Sequence, residues 1–518
     1  MQDTDLDVVI IGAGISGLNF AYRLREAHPH LRFCILEARH ELGGTWSLFK
    51  FPGIRSDSDL YSFSFPWYPW KHESAIAKGP LILDYLKEAA VAGGISHDIR
   101  LNHRVDHMRW SSASRTWKLD IVSGSHQVAS SMTCRFILLG TGYYNYDDPL
   151  PAVIPGIADF QGPVVHPQFW PSDLDCSGKR FVIIGSGSTA ITLLPSLASQ
   201  SEHVTMLQRS PSYIFSMPTR NFLDTMVRRL CPPSVAIALL RFHRILLSLL
   251  MVSFCRLLPS LARPWLLDMV RAQLPPGTKV DPHFSPRYDP WLQRMCVSPD
   301  GDFFGALRAG SATVVTGVIE AVTPRAIRLT SGVEIPADVI VTATGLRLRV
   351  AGGIRITVDD QDFQVADRFM WKAAMLEDLP NVVTAVGYAN ASWTLGADVA
   401  ASLACRLLAD MEREKVSVIV PRCSAEEKAT MAVLPLFDLT STYIREGQAS
   451  VPKAGNRPQW APRTFYWKDL FRATWGDVRT GIERTCEEPG RLSTARSTKA
   501  SSSVAWLRKE GEQGQSGR

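Results

Sequence analysis

Two glycine-rich turns in this chain have the residue types and spacing needed to hold dinucleotides. In "DVVIIGAGISGLNFAYRL" an apolar run at 7–11 leads into Gly12, Gly14 and Gly17, then into a helical pattern with Leu18, Ala21 and Leu24 on one face. Gly12 suits a tight turn, Gly14 lets phosphates approach the backbone, and Gly17 lets helix and strand pack closely. The following strand, "RFCILEA", ends at Glu37, 20 residues after Gly17, where a carboxylate accepts hydrogen bonds from an unphosphorylated ribose. Gly43, Gly44, Thr45 and Trp46 come directly after it and bring more backbone to the same extended ligand. This cradle reads as one for FAD.

The second copy is "KRFVIIGSGSTAITLLPSL", with a strand at 181–184, Gly185, Gly187, Ser188 and Thr189 in the turn, and Ala190 in the third glycine place. Its next strand ends in Arg209 and Ser210 where the first ended in an acid. A guanidinium pairs with a 2′-phosphate that a carboxylate would repel, so the second cradle reads as one for NADPH. Ala343, Thr344 and Gly345 close an apolar strand that returns the chain to the flavin lobe. Two unequal cradles imply hydride transfer from NADPH to a flavin.

The elements that must position these turns set the fold class: α/β, with two Rossmann-like dinucleotide-binding domains and a helical insertion. A chain of 518 residues is long enough for two or three lobes, and 46% hydrophobic with 20% charged residues is the balance of a globular enzyme. The net charge of +6 is not gathered into a basic block, which argues against nucleic-acid binding. Nine scattered cysteines without a CxxC pair read as reduced thiols, with no metal centre and a cytoplasmic setting. In the insertion at about 220–275 the longest charge-free run, "ILLSLLMVSFC", has 11 residues, short of the roughly 20 needed to cross a bilayer. Arg228, Arg229, Arg241, Arg244, Arg256 and Arg263 punctuate its leucine-rich helices. Such helices fit a cover over the NADPH lobe that forms a substrate tunnel, with peripheral membrane contact through 235–269 as the second reading. Residues 476–518, rich in Ser, Gly, Arg and Lys, read as a disordered tail.

Between the cradles lies "FQGPVVHPQFWP", too irregular for a strand and too proline-rich for a helix. It resembles the FxGxxxHxxxW(P/D) signature of type I Baeyer–Villiger monooxygenases, with Phe160, Gly162, His166, Trp170 and Pro171 in the signature places. "FPGIRSDSDLYSFSFPWYPW", "HFSPRYDPWLQR", "GYANASWTL" and "VPKAGNRPQW" resemble more closely the branch of ethionamide-activating monooxygenases. The resemblance implies an FAD-binding domain in two parts, 1–155 and 346–475, a signature linker at 156–175, and an NADPH-binding domain at 176–345. It implies insertion of one atom of O2 beside a ketone carbonyl through a C4a-peroxyflavin, giving an ester or lactone. The substrate is then a hydrophobic ketone or thioether small molecule. His166 belongs to a linker that moves during the cycle. An arginine stabilises negative charge in the oxygenating states, oriented by Asp57, while Asp59 is solvated or caps a helix. The wider family pattern points to Arg287 as that arginine and the nearer branch to Arg294, which is preferred. Trp393 and Thr394, ahead of a helix expected at about 396–409, approach the flavin as substrate-pocket residues. Phe65, Trp67, Tyr68 and Trp70 form either an apolar rim or core packing. Oxygenation of sulfur or nitrogen in soft nucleophiles is the nearest alternative, and a non-catalytic dinucleotide-binding protein a more distant one.

Overall fold

The computed structural model describes residues 6–486. In the first lobe β1 (Leu6–Ile11) runs into α1 (Ile15–Ala27) and on to β2 (Phe33–Leu36), which pairs parallel with β1. Val8, Val9 and Ile10 are fully buried because helices or strands cover both faces of this sheet, which explains the unbroken apolar run where alternation would mark a half-exposed strand. On the other side of β1 lies Val128–Leu139, also parallel, and this strand in turn pairs parallel with Val382–Thr384 and antiparallel with Thr116–Ser123. The chain therefore leaves β1 in opposite directions at its carboxyl end, where such sheets open a crevice for a ligand.

The second lobe repeats the unit with β3 (Arg180–Ile184), α2 (Ser188–Ala198) and β4 (His203–Gln208). Its five strands are all parallel, in the order Ala312–Thr316, β4, β3, Val339–Thr342, Val164–Val165. The edge strand Val164–Val165 lies inside the signature motif, so that segment is rooted in the second sheet and does not hang free between the lobes. A Cβ on Gly162 would sit 2.3 Å from the Asp338 carbonyl oxygen, which is why a glycine stands there. The covalent links between the lobes run side by side: Asn145 N–H donates to the Arg347 carbonyl and Arg349 N–H to that of Tyr143, each at 2.9 Å.

The insertion departs from its sequence reading in two ways. Its central helix, α3 (Pro233–Leu257), is continuous for 25 residues, long and apolar enough to cross a membrane although it contains charges. Of the charges that broke the apolar run, Arg241 and Arg244 face inward, while Arg256 is exposed and pairs with Asp438 at 3.2 Å. Arg241 donates to the carbonyls of Tyr61, Ser62 and Ser64 at 2.9, 3.2 and 2.7 Å, satisfying the end of the short helix Leu60–Phe63. Arg244 pairs with Asp224, both side chains 4% exposed, and Arg228 holds the carbonyls of Lys71 and His72. Thus α3 docks on the flavin lobe, where Leu240 joins the core, while the next helix, Pro259–Arg271, packs Val270 into the core of the second lobe. The insertion bridges both lobes; it is not a cover for one.

Past the second parallel unit the chain is back in the first lobe, where α4 (Trp393–Glu414) packs along α1. It begins three residues before the expected start. The tail reading also needs correction at its near end, because Ile482–Cys486 is a strand paired antiparallel with Val416–Pro421. Arg484 of this strand pairs with Asp410 and Glu414 of α4 at 2.7 and 3.1 Å. The rest of the expected tail, 487–518, lies outside the described residues. Phe65 and Trp70 are fully buried and Trp67 stacks between Phe65 and Tyr22, so this aromatic run is core packing in place of a rim.

Candidate functional site

At the carboxyl end of β1 the two glycine stretches of the first cradle meet. A Cβ on Gly17 would lie 1.8 Å from the Gly12 carbonyl oxygen, so α1 can approach the turn only because that residue is glycine. Gly43 N–H donates to the Ala13 carbonyl at 3.0 Å, and Gly44, at φ +54°, brings its backbone over Gly14. Glu37 is 7% exposed and accepts from the backbone N–H groups of Ala13 and Arg39 at 2.7 and 3.0 Å. Burial raises its pKa, and these backbone donors oppose the rise. Thr45 and Trp46 open a short helix at the same rim.

These groups line a cavity of about 510 Å³ that extends to Ser188, Thr189 and Thr192 of α2. Its walls come from the two cradles and the chain crossing between them, and among the described residues none of the insertion helices lines it. Arg294 enters the cavity from the second lobe, its guanidinium 3.8 Å from the Asp57 carboxylate of the first, with 34% and 38% of the side chains exposed to the open space. The Asp57 charge raises the Arg294 pKa further above its ordinary value, against the opposing effect of burial. Arg287, the other candidate, is exposed and does not line the cavity. Two residues before Asp57, Arg55 pairs with Asp302 of the second lobe, so one short segment makes two cross-lobe ion pairs. Asp59 caps the helix Leu60–Phe63, accepting from Ser62 N–H at 2.9 Å.

Sequence reasoning missed the tyrosines. Tyr143, Tyr144 and Tyr443 surround Arg294, and burial pushes all three phenols above their ordinary pKa. Tyr146 reaches the first cradle, 3.3 Å from Thr45 Oγ1. A signal was present: "FILLGTGYYNY" is an apolar strand ending in Gly-Thr-Gly, a partner to "VIVTATG" in the other lobe. Trp393 lines the cavity, stacked on Tyr143 with ring centroids 4.4 Å apart and its Nε1 donating to Ser16 Oγ at 3.2 Å. Thr394 does not. It is fully buried in the first turn of α4, because the helix begins early enough to turn it inward.

In the second cradle, Gly185 at φ +140° has the Ala343 carbonyl 2.3 Å from where a Cβ would stand, while the space over Gly187 is open for a ligand. Ala190 is buried in the helix–sheet seam. Arg209 and Ser210 are exposed at the end of β4, and Arg209 donates to Thr442 Oγ1 at 3.3 Å. Thr344 carries a buried hydroxyl without a partner among the described residues, and Gly345 packs against Tyr443. His166 Nδ1 accepts from Gln168 N–H at 3.2 Å, and burial lowers its pKa. Phe160 joins one core cluster of the second lobe, Trp170 packs against another, and Pro171 is exposed.

Comparison with known proteins agrees with this geometry. A family model described as an NAD(P)-binding Rossmann-like domain matches residues 10–68. The FAD-containing monooxygenase EthA of Mycobacterium tuberculosis is 43% identical over 469 residues, 90% of this chain and 94% of that one. Among solved structures, an oxidized steroid monooxygenase bound to NADP has the same fold, with a TM-score of 0.73, 19% identity and coverage of 93% of this chain and 100% of the other. OTEMO in complex with FAD and NADP aligns with a TM-score of 0.70 at 19% identity, covering 93% and 99%. Identity with EthA at this level and coverage settles the assignment: the chain belongs to the family of FAD-containing monooxygenases.

Proposed function

We propose that the chain is an NADPH-dependent flavin monooxygenase of the Baeyer–Villiger type, which inserts one oxygen atom of O2 beside the carbonyl of a hydrophobic ketone to give an ester or lactone. The observation that carries this reading is Arg294, a cation brought from the second lobe into the flavin cavity and faced there by Asp57. The residues present fit both cofactors: Gly14 and Gly44 line the cavity at the first turn, Glu37 stands at the ribose end, and the space over Gly187 is free. When bound, FAD accepts a hydride from NADPH and activates O2.

The remaining work falls to the protein. Oxygen transfer to a carbonyl passes through negatively charged states, and Arg294 supplies a fixed positive charge to them inside a partly enclosed cavity. Asp57 holds the guanidinium in place. Tyr143, Tyr144 and Tyr443, whose phenols burial raises further above their ordinary pKa, surround this charge on its protein side, and Trp393 extends that wall. At the second cradle Arg209 is placed to bind the 2′-phosphate of NADPH. The test is product analysis with NADPH, O2 and panels of ketones and thioethers. Esters or lactones are expected, sulfoxides alone would move the substrate class to soft nucleophiles, and NADPH consumption without any oxygenated product would refute the reading.

We also propose that the outer face of the insertion rests on a lipid surface. With Arg241 and Arg244 turned inward, α3 presents Leu239, Phe242, Leu250 and Leu257 to solvent at 47–77% exposure, joined by Leu261 and Trp265 of the next helix. The 233–257 segment contains no acid. Because its inner face is tied to the flavin lobe, α3 lies on the surface and does not cross. Co-sedimentation with anionic vesicles should fall in Leu250→Glu while NADPH oxidation is retained; equal sedimentation would refute the contact.

A further inference from the structure

The ends of α1 and α4 remote from the cavity carry a cluster that the oxygenation reading does not use. His28, at the C-terminus of α1, is 4% exposed, and its Nε2 lies 2.8 Å from the carbonyl oxygen of Cys405 on α4. A carbonyl only accepts, so Nε2 carries a proton, and in a neutral ring Nδ1 presents its lone pair. That atom faces Glu412 Oε2 at 3.5 Å. A lone pair and a carboxylate oxygen repel unless a cation lies between them. The other oxygen of Glu412 lies 2.9 Å from His30 Nε2, and the three donor atoms all lie within 4.8 Å of one another.

We propose that His28, His30 and Glu412 form a binding site for a divalent transition metal of the zinc class. Metal–nitrogen and metal–oxygen bonds of about 2.0–2.1 Å place neighbouring ligands of a tetrahedron roughly 3.3 Å apart. The contacts of 2.9 Å from His30 Nε2 to one Glu412 oxygen and 3.5 Å from His28 Nδ1 to the other each lie near that edge. Two imidazoles with one carboxylate favour zinc over calcium or magnesium, which take oxygen donors. The Cys405 carbonyl does for His28 what outer partners commonly do for metal-bound histidines: it fixes the tautomer and aims the ring. His30 and Glu412 are 59% and 41% exposed, so the fourth position opens to water and exchangeable metal can enter.

The site is structural in this placement. The 13 residues of α1 put it about 20 Å from the glycine turn at the other end of the helix. A metal there ties the far ends of α1 and α4, the helices whose near ends border the cofactor cavity.

The test uses the untagged, FAD-loaded full chain, stripped with a chelator and desalted. Wild type should bind about one equivalent of Zn²⁺ that survives gel filtration and should give a visible d–d band with Co²⁺, with the thermal midpoint rising on addition of either. His30→Ala and Glu412→Gln, at exposed positions that leave the fold intact, should weaken binding at least tenfold, while His126→Ala changes nothing. No stoichiometric metal in wild type, or equal binding in both site variants, would overturn the proposal. So would a thermal midpoint in wild type that is indifferent to both metals.

Discussion

Replacing Arg294 by Gln separates oxygenation from reduction, and the structure gives the scale. Two unit charges 3.8 Å apart, as in Arg294 and Asp57, attract by about 4 kcal/mol at an effective dielectric constant of about 20, less where water still reaches them. In Arg294→Gln the cation is lost and Asp57 keeps its charge, so states that build negative charge lose a donor and gain a repulsive neighbour. Loss of one such donor typically lowers turnover by roughly 10²–10³-fold, about 2.7–4 kcal/mol. We expect product formation to fall by at least that factor while NADPH oxidation stays within about threefold, with hydrogen peroxide replacing product. Adding Asp57→Asn should recover about tenfold of the loss, because it removes the stranded anion. The assay follows NADPH absorbance, peroxide and ketone product in parallel. Product within tenfold of wild type, or a parallel fall in NADPH oxidation, would refute the assignment of this arginine.

Four other outcomes can be checked directly. Arg209→Gln should raise the KM for NADPH about tenfold or more and leave that for NADH unchanged, the scale of a lost charge-assisted contact of roughly 1.5–3 kcal/mol. Gly17→Ala places a carbon 1.8 Å from a backbone oxygen that cannot yield, so the purified protein should lose bound flavin or fail to fold, read from its visible absorbance. Asp338 accepts from Arg180 side-chain and backbone donors that lower its pKa to about 2. With the folded pKa below the unfolded value, its stabilisation is present above about pH 4 and lost as pH falls toward 2, so Asp338→Asn should flatten the acid limb of stability in this range. Arg484→Ala leaves Asp410 and Glu414 close together without their shared cation, and should lower the thermal midpoint by a few degrees in calorimetry.

The parts legible from sequence were those in which one residue type answers one local demand. Gly12, Gly17 and Gly185 stand where the backbone leaves no space for a Cβ, and the full burial of Val8–Ile10 explains a run that could only be a covered strand. What escaped depended on contacts far apart in the chain. Tyr443 reaches Arg294 across about 150 residues, a relation that no spacing rule carries. The docking of Arg241 and Arg244 on the first lobe was hidden because their acceptors, the carbonyls of 61–64 and Asp224, belong to other segments. Ile482–Cys486 is polar and short, a strand only because Val416–Pro421 offers an open edge and α4 two acids. The choice between Arg287 and Arg294 turned on which lies inside the cavity, and seven residues of irregular chain conceal that.

The segment carrying Arg55 and Asp57 offers one charge of each sign to the opposing lobe, which answers with Asp302 and Arg294. Such a contact works like a polarised plug. A displacement of the lobes by two residues along this segment would set Arg294 against Arg55 or, in the opposite direction, Asp302 against Asp57, replacing an attraction by a repulsion. The same four side chains that bring a cation into the cavity therefore specify how the halves of the molecule may dock, and a mis-seated pair of lobes lacks the charge arrangement that oxygen transfer requires.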